Sequence, residues 1–133
     1  MNKDNHKQFS FAADLKASNI EVNAVSLDEY AKQIELLLAQ IDTGNNIVAE
    51  KNVDSAKEAI NASLKSSPMN RLNEYIKLGE ILLFLVTNIK KDNIDYLKQI
   101  AICYLDIAKL ANDEKIKKLS FAIADKLIQD DDK

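Results

Sequence analysis

From Ser26 to Leu127 apolar side chains recur every three or four residues, in five stretches separated by residues that start or stop helices. That period places them on one face of a helix, and such a face is stable only when it packs against others. Two glycines and one proline in 133 residues leave little else to interrupt a helix. The length suits one domain with one core and needs no staple. The expected fold is therefore all-α, a single-domain antiparallel helical bundle of four to five helices with an N-terminal arm.

Residues 1–8 (MNKDNHKQ) carry no apolar side chain beyond the initial Met and read as a disordered tail. In 9–25 two patterns compete: Phe9, Phe11 and Leu15 suit a short helix capped by Ser10, whereas Ile20, Val22 and Ala24 alternate with Glu21 and Asn23 in the extended manner, and the segment reads as an arm packed on the bundle. The helical domain is expected over 26–129, followed by a frayed acidic tail at 130–133, where three aspartates oppose the helix dipole. Ser26-Leu-Asp-Glu29 has the form of a capping box, opening a first helix that runs to about Thr43 and stops at Gly44. A second helix is expected over Asn46 to Ser66. A third opens at Ser67-Pro68 and runs to about Lys90, where Lys90 and Lys91 suit the negative end of its dipole. The fourth follows Asp92 or Asn93 and ends near Ala111, and the fifth is capped by Asn112 or Asp113. Gly79 falls inside the third helix, a position that implies close contact with another backbone. Short connections predict that consecutive helices are antiparallel neighbours.

The balance of 18 basic and 21 acidic side chains gives a net charge of −3, and Arg71 is the only arginine. The excess of lysine, asparagine and isoleucine is the bias of AT-rich codons. Lysine lacks the planar fork that reads phosphates and base edges, and no basic stripe interleaved with aromatics occurs, so nucleic-acid binding is not expected. The apolar run Ile81–Val86 is far shorter than the roughly 20 residues of a membrane span and reads as a buried helix centre. With one cysteine and no basic-then-apolar leader, a reducing cytoplasmic setting is expected.

Chemistry-bearing residues are sparse. The only histidine, His6, falls in the polar tail, and Cys103 sits between Ile100 and Ile107 on an apolar face with no histidine nearby in sequence to activate it. The carboxylates concentrate at helix starts, where capping and the dipole account for them. No Glu-x-x-His pair and no glycine-rich phosphate loop occurs. No catalytic residue, cofactor or metal ligand is assigned.

Three apolar residues break the helical pattern. Phe84 lies in the polar stripe of Asn73, Lys77, Glu80 and Thr87, and Ile102 in that of Asp95, Lys98, Gln99, Asp106 and Lys109. Phe121 lies in that of Glu114, Lys118 and Asp125. Either a neighbouring helix or the arm covers them, or they form an exposed patch that meets a partner. Phe84, Ile102 and Phe121 are thus the partner-binding candidates.

Three segments, Ser26-Leu-Asp-Glu29, Glu50–Ile60 and Asn88-Ile-Lys-Lys-Asp92, resemble the flagellar export chaperone family over residues 26–110. The connection between the second and third helices is shorter than in that family. The resemblance implies a small antiparallel bundle that clamps a secreted partner, and no binding residue is carried over from it. The expected function is a non-enzymatic cytosolic module that holds or masks a partner protein, as a secretion chaperone, adaptor or immunity protein does. The alternatives are a homo-oligomeric structural subunit, or a small enzyme or nucleotide binder completed by another chain.

Overall fold

The computed structural model describes residues 14–89 and 91–131. Among these, 88% are helical and no strand occurs. Six helices are present rather than four to five: α1 over 14–22, α2 Ala24–Leu38, α3 Ile47–Lys65, α4 Pro68–Asn88, α5 Ile94–Ala111 and α6 Glu114–Asp131, with a 3₁₀ turn at Lys91–Asn93. Residues 1–13, Lys90 and 132–133 lie outside the described part of the chain. The expectations for the 1–8 tail, for the start of the arm at 9–13, for Lys90 and for the end of the acidic tail fall there.

The extra helix corrects the extended reading of residues 20–24. Ile20 is buried while Val22 is 83% exposed: a strand would put both on one face, whereas two turns of helix turn Val22 outward and align Ile20 with Ala24 and Leu27 on the core side. The pairing of α1 with the end of α5 is polar. A helix leaves its last four carbonyls without partners, and Asn19 Nδ2 donates to the orphaned Leu110 oxygen at 2.5 Å, with Asn23 Nδ2 at 3.4 Å from the same atom. Lys16 forms an ion pair of 3.5 Å with Asp113 beside it.

Because the chain is already helical at residue 24, Ser26-Leu-Asp-Glu29 is not a capping box. Asn23 holds the cap position without a side-chain cap bond, and Ser26 faces solvent inside α2. α2 also ends earlier than Thr43, at Leu38, so Gly44 closes the following loop rather than the helix. Its φ of 59° is left-handed, and its N–H donates to Asp42 Oδ1 at 2.8 Å. Asn46 caps α3 by accepting from the Ala49 N–H at 3.0 Å. Pro68 opens α4, although Ser67 makes no side-chain cap bond. Asn112, at φ 51°, closes α5, and Asp113 Oδ2 accepts from the Lys115 and Ile116 N–H groups to open α6.

Packing orders the helices as a ring: α2, α3, α4, α6, α5 and back to α2. The consecutive pair α4 and α5 barely touches, because α6 folds back between them. Short connections therefore do not make every consecutive pair neighbours. At the 3₁₀ turn between α4 and α5 the buried Asn93 amide pairs with the Asp42 main chain in both directions, at 2.9 and 2.8 Å, which ties this connection to the α2–α3 loop. Inside the ring, Leu27, Ile34 and Leu38 meet Ala56 and Ile60, Tyr75, Leu78, Leu82 and Leu85, Leu97, Ile100 and Tyr104, and Ile116 and Ile123 in one continuous core.

Candidate functional site

Besides the Asn93–Asp42 pair, two polar arrangements lie buried among the helices, and both are explained by architecture. Arg71 reaches from the first turn of α4 to Asp28 on α2 at 2.7 Å, with its other terminal nitrogen 3.5 Å from the Leu64 carbonyl at the end of α3, so one guanidinium ties three helices together. Arginine suits this, since its fork serves two acceptors at once. Tyr75 lies beside it, fully buried near Ser63 and Arg71, but its hydroxyl has no partner in hydrogen-bond geometry. Burial pushes that hydroxyl up to about 12, the Arg71 charge pulling the other way and Asp28 adding to the rise.

The second arrangement is Tyr104, whose hydroxyl donates to the Tyr75 carbonyl at 2.7 Å. Burial, with Asp113 and Glu80 adding to it, drives this phenol well above its ordinary range. Gly79 makes room for it. A Cβ at position 79 would lie 2.6 Å from Tyr104 Cζ and 2.9 Å from Leu119 Cδ1. The close approach expected of Gly79 is therefore to a tyrosine ring and a leucine rather than to another backbone.

Cys103 is half-buried, and burial together with Asp106 pushes its thiol up, away from the thiolate form that attacks electrophiles. Among the described residues no group of three or more histidines, cysteines or carboxylates converges as a metal site, and no helix is long and apolar enough to cross a membrane.

The apolar surface is where the three candidates are found. Ile102 is 61% and Phe121 60% exposed, while Phe84 is 39% exposed on α4. α5 and α6 pack against each other, and between them runs a shallow groove of about 260 Å³ lined by Lys98, Ala101, Ile102, Ala124, Leu127 and Ile128. Phe121 lies one turn before Ala124 and two turns before Ile128 on the same side of α6, so it extends the rim of this groove. The structure thus brings Ile102 and Phe121 to one face. It leaves Phe84 apart, on the outer side of α4, which borders α6 on the flank away from α5.

Ile128, 60% exposed, belongs to this face and sequence reasoning missed it. Its spacing of seven from Phe121 is the signal that would have found it. A second set of exposed apolar side chains, Val25 and Leu36 on α2 with Ile47 and Val48 at the start of α3, was also missed. Reading Ser26 as a helix start hid that Val25 and Leu36 lie on one outer face. A cleft of about 660 Å³ between the α2–α3 loop and the 3₁₀ turn is lined by Asp42, Asn46, Asn88, Ile89 and Asp92 among others.

No family model, curated protein or solved structure matches the chain. The likeness to flagellar export chaperones gains no support from these comparisons.

Proposed function

We propose that the chain is a non-enzymatic protein-binding module, an antiparallel bundle working in the cytoplasm that holds a partner protein on its α5–α6 face. One observation carries the reading: Ile102 and Ile128, each exposed by about three fifths, line one shallow apolar groove between adjacent helices, and the equally exposed Phe121 lies two turns before Ile128 on the same side of α6. Scattered surface hydrophobes are ordinary, whereas a contiguous set around a concavity marks a place where burial is still to be gained. Covering each such side chain contributes about 1–2 kcal/mol at the usual 25 cal/mol per Å². Helix-in-groove contact is the matching mode, with the isoleucine and phenylalanine side chains as anchors. Phe84 is a separate contact at most, since α6 stands between it and the groove.

The test is photo-crosslinking in cells of the source organism. A photoreactive phenylalanine analogue at position 102 or 121 is expected to give adducts with one defined protein, identified by mass spectrometry, that the same analogue at the exposed Glu58 position on α3 does not give. Equal adduct patterns from all three positions would remove the α5–α6 face from consideration.

A further inference from the structure

We propose that the occupant of this face is a second copy of the same chain, bound through α5 against α5 in antiparallel orientation about a two-fold axis beside Ile102. The inference names the partner for the docking face and therefore rests on that reading.

The stripe on the outside of α5 consists of Asp95, Lys98, Ile102, Asp106 and Lys109, at spacings of 3, 4, 4 and 3. At 100° per residue all five fall within about 40° of the direction of Ile102. The spacing is symmetric about Ile102, and the charges invert across it: minus, plus, apolar, minus, plus. A two-fold axis at Ile102 sets two such helices antiparallel. Asp95 then faces the partner's Lys109, Lys98 faces the partner's Asp106, and Ile102 meets the partner's Ile102. A parallel pairing in register sets like against like at all four charged positions. The stripe is self-complementary in one orientation and self-repelling in the other, which is what an isologous contact requires.

The surroundings fit the same occupant. Asp95, Ile102 and Lys109 are exposed, and Lys98 and Asp106 are half-buried. Among the described residues no ion pair engages Asp95, Asp106 or Lys109. Lys98 already has a partner of its own, so the outer pair of Asp95 with the partner's Lys109 carries the specificity. The groove of Ala101, Ala124 and Ile128 beside Ile102 gives the partner's Ile102 apolar surface to rest on. A contact about one helix face wide lies at the small end of specific interfaces, so the dimer is weak and sensitive to salt.

Sedimentation velocity on the full chain over a concentration series tests this. The wild type is expected to dimerise reversibly, less so as salt rises. Asp95→Lys alone and Lys109→Asp alone each turn two attractive pairs per dimer into repulsive ones and are expected to weaken association by about tenfold or more. An equimolar mixture of the two single variants restores attraction at both pairs and is expected to regain wild-type association, as is the double variant D95K/K109D. A wild type that stays monomeric up to roughly 1 mM, beyond the range of weak specific contacts, overturns the proposal. So does a dimer indifferent to both reversals, or a mixture that does not recover. If the monomer still crosslinks from position 102 to a different protein, the second copy is wrong while the docking face stands. If no protein is captured there at all, both fail.

Discussion

Gly79→Ala tests the internal architecture most sharply, because two physical effects of opposite sign meet at one methyl group. In an isolated helix the change is favourable by about 1 kcal/mol, since alanine loses less backbone entropy than glycine. Here the new Cβ lands 2.6 Å from Tyr104 Cζ and 2.9 Å from Leu119 Cδ1, far inside van der Waals contact. Tyr104 is fully buried and cannot retreat without giving up its 2.7 Å hydrogen bond to the Tyr75 carbonyl. Overpacking costs about 1–3 kcal/mol, and leaving the buried phenol unsatisfied costs about 1–3 kcal/mol more. After the propensity gain the expected loss is about 3 kcal/mol, a substantial share of a typical total of roughly 5–15. Urea denaturation followed by far-ultraviolet circular dichroism reads this as a midpoint lowered by about 1–3 M at an unchanged slope. Tyr104→Phe removes the hydroxyl, the atom nearest the new methyl, so G79A should cost at least about 1 kcal/mol less in that background. A G79A protein as stable as wild type, or more stable, refutes the close approach.

Ionisation of Tyr75 and Tyr104 supplies a second expectation: both are held protonated by the fold, and the unfolded chain ionises first, near pH 10. Stability is then full below pH 10 and falls as pH rises toward the folded value of about 12 for Tyr75, by about 1.4 kcal/mol per pH unit for each tyrosine; a melting temperature that stays flat between pH 10 and 12 would contradict it. Asp28→Ala strands the mostly buried Arg71 guanidinium and is expected to destabilise by about 2 kcal/mol, less than a fully buried pair because Asp28 is a third exposed. D28A paired with Arg71→Met should recover part of that loss in the same denaturation assay. Serine at Ile102 or Phe121 should stay within about 0.5 kcal/mol of wild type, and at the less exposed Phe84 within about 1 kcal/mol; losses of 3 kcal/mol or more at Ile102 and Phe121 would mark them as core and remove the docking face.

Periodicity made the four helices from Asn46 onward legible nearly to the residue, because each carries a stop or start with a local mechanism: Asn46, Pro68, Asn112 and Asp113 act within one turn of themselves. The N-terminal third was legible only in part. Ile20, Val22 and Ala24 satisfy an alternating pattern and a helical one equally over so short a stretch, and the partner that decides between them is the Leu110 carbonyl, 91 residues beyond Asn19. The Ser26–Glu29 motif misled for the same reason, since a capping box is one only where the preceding residues are not helical. Ring order was beyond reach of the sequence, because the contacts that go with it join distant residues, as Asn93 with Asp42 across 51 residues. For the candidate site, exposed apolar residues were visible as interruptions of polar stripes, but whether two helices bring theirs to one groove depends on which helices are neighbours. That separates Ile102 and Phe121 from Phe84.

The close packing at Gly79 and the open face of α5 are two consequences of one constraint. α4 and α5 hardly meet, yet Tyr104 of α5 reaches the main chain of α4, passing where a Cβ at position 79 would stand, and Leu119 of α6 crowds the same spot. A bulky ring held at both ends by contact and hydrogen bond leaves α5 no freedom to roll about its axis. Ile102 precedes Tyr104 by two residues, which on a helix is a turn of about 200°. Fixing Tyr104 inward therefore fixes Ile102 outward, and with it Asp95 and Lys109 on the same stripe. Rolling α5 to bury Ile102 would break the Tyr104 bond and pull the ring from its slot, so its exposure is held in place by the core beneath it. A side chain kept at the surface by that much internal structure is available to a second copy without any rearrangement of the fold.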